Sequence, residues 1–247
     1  MKMLHNYYIE LRRSISEFKN YKVNILFANL GYVLLFMGLI DFFDNENKSL
    51  FFLLFTWYWS LHGLDNTAYI LEDEIADRTL CNILSSRVSI FSILAMTNLI
   101  QILMDFMKGA IIFIVIALVS NMAPQVSFIQ FLKIFIFIFI TTIIMYIIGG
   151  VIGSFALVYK RISSLSNVLY YVVLFFSGIF YGVKAISVLF PFSTLNKIII
   201  SILSGNHIPM DSVAILGLQF VIYLNLMFVT FKINLRRLYQ EGKIFHV

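Results

Sequence analysis

Charge is the first thing this sequence is short of. Only 13% of its 247 residues are charged, about half the roughly 25% of an ordinary soluble domain. A soluble protein covers its core with polar side chains. A chain that is 60% hydrophobic, with a mean hydropathy of +0.90, has too few to do so. Proline is scarce as well, with three in the whole chain, so little interrupts a long helix. The single cysteine, Cys81, rules out an internal disulfide. No G-x-x-x-x-G-K-[ST] loop is present to cradle nucleotide phosphates. No His/Cys/carboxylate group has metal-ligand spacing, and no nucleophile stands beside a base, so the expectation is a non-enzyme without metal or cofactor of its own. Met1–Asn20 carries Lys2, Glu10, Arg12, Arg13, Glu17 and Lys19, and it lacks the apolar stretch of a cleavable signal.

What the chain does have is apolar runs long enough to cross a bilayer, at about 20 residues each. Ile111–Val119 and Ile134–Ile140 are apolar on every side, whereas barrel strands alternate apolar and polar. The reading is therefore an all-α integral membrane protein forming one transmembrane domain over residues 1–247. Six spans are expected: Val23–Ile40, Leu50–Ile70, much of Ile90–Ser120, Phe128–Tyr159, about Leu165–Tyr181, and Ser212–Phe231. Between the fifth and sixth lies Gly182–Asp211, apolar and interrupted by Pro191, which reads as one or two short re-entrant helices at the outer face.

Ahead of the spans, Leu4, Tyr7, Tyr8, Leu11, Ile15 and Phe18 share one helical stripe. Residues 1–20 thus predict an amphipathic helix in the headgroup plane. Six spans put both termini on one side. With that side inside, Lys2, Arg12, Arg13, Lys19, Lys22, Arg78, Arg87, Lys160, Arg161, Lys232, Arg236, Arg237 and Lys243 are cytoplasmic, 13 of the 18 Lys and Arg. The positive-inside rule selects that orientation, with residues 232–247 as a basic cytoplasmic tail. The net charge of +5 is then topology and lipid contact, and not a nucleic-acid footprint.

The most informative polar stretch is Leu71–Ser89. Glu72, Asp73, Glu74 and Asp77 open it and suit the positive end of a helix dipole. Behind them Leu80, Ile83, Leu84 and Phe91 fall on one helical face, opposite Arg78, Cys81, Asn82 and Ser85. A short surface helix presenting a face to a soluble partner and a solvated loop joining two spans fit this pattern equally.

Inside the spans, charge costs at least about 2.5–3.5 kcal/mol per residue by insertion scales. Asp105 and Lys108 are spaced i, i+3 on the third span, so they either form an internal pair or line a path. His62 and Asp65 have the same spacing on the second span. Such a pair could relay protons, but Asp65 falls near the cytoplasmic end, where polar interface contacts are the favoured account. Gly149 and Gly153 make a small-xxx-small pair on the fourth span, which permits close helix approach; packing within the chain is the favoured reading, and dimerisation through this face is the alternative.

Two stretches carry a resemblance. Residues 72–89, with Glu72 and Glu74, Thr79-Leu80, Ile83-Leu84, and Ser86, Val88 and Ser89, are similar to the E-x-E-x-G-T-L-E-x-L-L-x-S-P-V-S loop between spans two and three of ABC type-2 exporter permeases. Arg78, Cys81 and Arg87 depart from it, replacing its glycine, the glutamate that follows its T-L, and its proline. Phe176–Gly182, followed by Pro191-Phe192-Ser193, is similar to the family's S-G-x-x-F…P…N-P segment.

The resemblance implies that the 72–89 segment holds a cytoplasmic coupling helix. Glu72, Asp73, Glu74, Asp77, Arg78 and Thr79 would supply polar contacts to a separate ATPase, and Leu80, Ile83 and Leu84 the apolar ones. It further implies two copies of that ATPase binding ATP and Mg, a second permease subunit, identical or related, and a bacterial plasma membrane. The cargo would be hydrophobic or amphipathic: a peptide, drug or lipid. The rival reading is a secondary transporter or channel that uses a membrane acid such as Asp105.

Overall fold

The structure, a computed structural model, describes residues 12, 16, 20, 22–42, 48–76, 90–119, 126–175 and 189–240. Every regular element among them is a helix: α1 (Lys22–Phe42), α2 (Lys48–Ala76), α3 (Ile90–Val119), α4 (Phe128–Ser154), α5 (Ala156–Tyr159), α6 (Ser163–Phe175), α7 (Pro191–Leu203) and α8 (Met210–Gln240). Three stretches are long and apolar enough to cross a membrane, Ile90–Ile116, Phe128–Tyr159 and Met210–Gln240. The chain is thus an α-helical, membrane-embedded protein.

The centre of the bundle is α2, in which every residue from Phe51 to Trp59 is buried. Hydrocarbon surrounds such a bundle, so burying apolar surface drives helix association little, and close packing must hold it. Aromatic rings supply much of that packing. Phe113 of α3 meets Phe55 at 4.6 Å and Phe51 at 4.8 Å, and Trp59 stacks on Phe106 at 4.3 Å between centroids. Each such pair contributes about 0.5–1.5 kcal/mol beyond its area.

The pairings also fix direction. Along α2, Phe52 meets Phe131, Gly63 meets Tyr146 and Gly149, Thr67 meets Gly153, and Glu72 reaches Ile162. The partner numbers rise together, so α2 and α4 run parallel. Phe113, Phe106 and Asn98 of α3 meet Phe55, Trp59 and Thr67 in falling order, so α3 runs the other way. On α8, Met227 lies against Gly150 and Asn234 donates to Ser154 Oγ at 3.0 Å, parallel to α4. The ends of α2, α4/α5 and α8 therefore gather at one end of the bundle, with the starts of α3 and α6.

At the opposite end α7 packs on α2, α4 and α8. Pro191 begins it at the first turn, where a missing N–H costs nothing. Phe192, Leu195, Ile198, Ile199 and Ile202 form its buried stripe. Gly205, at φ +71°, ends it in the left-handed conformation that glycine adopts freely. Gln130, half of a capping box with Ser127 on α4, also donates its side-chain amide to the Ile202 carbonyl at 3.0 Å. The same carbonyl accepts from the Gly205 backbone N–H, so α4 adds a second donor at the end of α7.

Two boundaries differ from those read in the sequence. The fourth span keeps its expected ends, Phe128 and Tyr159; a turn at Phe155 divides it into α4 and the single turn α5, and Lys160 at φ 64° turns the chain toward α6. The last helix does not stop at Phe231 but runs to Gln240, because nothing between 232 and 240 breaks a helix. Asp211 in its first turn and Arg237 in its last suit its ends. Glu72, Asp73 and Glu74 do not open a helix. They lie in the last turns of α2, at its negative end, because the apolar pattern continues through Leu71 and Ile75, both buried. The amino-terminal amphipathic stripe and residues 241–247 of the tail lie outside the described residues.

Candidate functional site: a buried carboxylate and the tip of α2

Asp105 lies on the face of α3 turned toward α2 and is 1% exposed. An ionised carboxylate at that depth needs donors, and several surround it. Lys108, one turn on, places Nζ 3.0 Å from Oδ1. Gln101, one turn back, donates Nε2 to the same oxygen at 3.4 Å. From α4, the Tyr146 hydroxyl donates to Oδ2 at 2.7 Å. From α2, Trp59 Nε1 donates to the Asp105 backbone carbonyl at 3.0 Å. Three helices thus converge on one residue, and the pair with Lys108 leaves the cluster without net charge.

Glycine makes the convergence possible. A Cβ at Gly109 would stand 1.9 Å from Trp59 Nε1, so only a hydrogen there lets the indole reach the carbonyl of Asp105. A Cβ at Gly149 would stand 2.1 Å from the Gly63 carbonyl oxygen, and one at Gly63 would stand 2.8 Å from Tyr146 Cδ2. Gly153 lies against Thr67. The small-xxx-small pair of the fourth span therefore faces inward onto α2. That close approach brings Tyr146 within reach of Asp105.

The second polar feature is the tip of α2. Glu72 Oε1 accepts a hydrogen bond from the backbone N–H of Ile162, the residue that caps α6; the Ile162 carbonyl accepts from Leu165 and Ser166. A carboxylate at a helix start satisfies an orphan N–H and faces the positive end of the dipole. Here it comes from another helix, so α2 and α6 are tied where the chain turns at Lys160. Asp73 is exposed and Glu74 half-buried.

Of the remaining residues singled out in the sequence, Asp77, Arg78, Thr79, Leu80, Ile83 and Leu84 lie outside the described residues, and so do the side chains of His62 and Asp65. Sequence reasoning missed Gln101, although its i, i+4 spacing to Asp105 was a usable signal. It also missed Trp59, Tyr146, Gly63 and Gly109, which meet the site only through the tertiary fold. Among the described residues, no three His, Cys, Asp or Glu side chains group to hold a metal ion. No model of a known protein family matches the chain, and no characterised protein is significantly similar to it.

Proposed function

We propose that this chain is the membrane-spanning subunit of an ATP-driven exporter, with six spans and both termini in the cytoplasm of a cell whose plasma membrane it crosses. In this reading α1, α2 and α6 cross together with α3, α4/α5 and α8. Two separate ATPase subunits bind ATP and Mg, and a second permease, identical or related, completes a path for a hydrophobic or amphipathic substrate.

The observation that supports it most is the mechanical position of α2. This helix is buried from Phe51 to Trp59, locked to α4 at Gly63–Gly149, and tied to α6 by Glu72. The 72–89 stretch that resembles a coupling segment begins on its tip. A push there would move α4 and α6 with it, which is what rocking-bundle alternation between inward and outward access needs.

The ion-driven reading would rest on Asp105. With Lys108, Gln101 and Tyr146 already on its carboxylate, Asp105 fits a strut between helices better than a coupling-ion site.

The test is co-purification with a candidate ATPase, the one encoded beside this chain, followed by ATP hydrolysis in lipid nanodiscs. A stable complex that weakens at least tenfold on the joint reversal Glu74→Lys and Asp77→Lys is the expected result. A chain that purifies alone, or a complex that ignores the reversal, would sink the coupling assignment.

A further inference from the structure

Beside the polar cluster, between α2, α3 and α4, lies a cavity of about 280 Å³. Its walls are aromatic: Phe52, Phe55 and Trp59 from α2, Phe113 from α3, and Phe131 and Phe135 from α4. No polar atom faces into it. Trp59, which stacks on Phe106 and is pinned by its hydrogen bond to the Asp105 carbonyl, cannot swing in to fill it. The walls are therefore preformed. Ile114, on the rim, is 55% exposed, so the space is not sealed from the surroundings of the bundle.

Water has nothing to bond to in such a space. Apolar cavities about half this size stay dry and take up benzene. An empty one forfeits the dispersion contacts of every wall atom. What stands outside Ile114 is decisive, because α3 carries Leu103, Met107, Ile111 and Val115 as an exposed apolar stripe on a helix long enough to cross a bilayer. The medium facing the rim is hydrocarbon, present at very high local concentration.

We propose that this cavity is a binding site for one acyl chain of a membrane lipid, inserted between α3 and α4 beside Ile114. The site depends on membrane embedding and not on an ATPase, so it can fail while the exporter reading stands, and the reverse.

The chain has two tryptophans, so Trp57→Phe leaves Trp59 in the cavity wall as the sole indole. The full-length protein is reconstituted in nanodiscs of phosphatidylcholine brominated at mid-chain. Bromine quenches indole emission at near-contact range. Filling the cavity with Ala110→Phe, or with the smaller Ala110→Leu, should cut the quenching of Trp59 at least twofold. Unchanged helical circular dichroism and melting midpoint show that each variant is folded. Equal quenching with the cavity open and filled would overturn the proposal, since the bromine would then act from outside. A second arm adds a brominated fatty acid to protein in unbrominated bilayers. Cavity-dependent quenching there, with none from the bilayer lipid, would assign the space to a free amphiphile and also overturn it.

Discussion

At the scale of single residues, Asp105 concentrates the most free energy in the fewest atoms. Breaking a buried pair by removing one partner costs about 3–5 kcal/mol, because the other charge is left without compensation, whereas replacing both by apolar residues is often neutral. Asp105→Ala should therefore destabilise the protein by about that amount, and the double change Asp105→Leu with Lys108→Leu by much less. Tyr146→Phe removes one hydrogen bond to a charged group and should cost about 1.5–3 kcal/mol. Unfolding titrations in mixed detergent measure all three; a double variant as unstable as the single one would show that the carboxylate does more than balance Lys108. The sequence made part of this legible. The Asp105–Lys108 spacing is local, and so was the missed Gln101. Trp59 and Tyr146 lie 46 and 41 positions away, and no local periodicity reports such a meeting.

At the scale of elements, the parallel contact of α2 and α4 is set by backbone meeting backbone. A methyl group at Gly149 would face the Gly63 carbonyl, which cannot rotate aside as a side chain can. Gly149→Ala should cost roughly 1–3 kcal/mol, the usual range for overpacking. At Gly217 on α8 a Cβ would meet nothing within 4 Å, and Gly217→Ala should be neutral or slightly stabilising. Thermal melts of the two variants provide the comparison, and equal losses would contradict the packing described. Here the sequence announced a close contact through small residues but not its partner, because spacing identifies a face and not what covers it. Helix ends were read less well than helix cores. The hydropathy of α8 falls off near Phe231, but hydrogen bonding along its backbone continues to Gln240, since polar residues end an apolar run without ending a helix. For the same reason the acidic stretch after Leu71 read as the opening of a new element when it closes α2.

At the scale of the molecule, the helices sort their ends into two groups. The tip of α2, the start of α3, the α5–α6 turn and the end of α8 form one. The starts of α4 and α8, with α7 and the turn at Gly205–Asn206, form the other. The sole cysteine, Cys81, follows α2 in sequence. A membrane-impermeant maleimide should label it from the cytoplasmic side only. In a Cys81→Ser background, the change Asn206→Cys should be labelled from the opposite side only. Labelling of both positions from one side would refute a bundle that spans the bilayer with these two ends.

The apolar stretch of α3 also fixes where its charges stand. Asp105 is two residues past the middle of Ile90–Ile116, near the centre of the part of α3 long enough to cross the bilayer. Lys108 is one turn closer to the α7 end, and its side chain is 19% exposed, so its ammonium can lean toward water while holding the carboxylate. Bilayer thickness thereby becomes a variable of the site: a thicker membrane draws the Lys108 head away from water and raises the cost of its charge, and a thinner one relieves it.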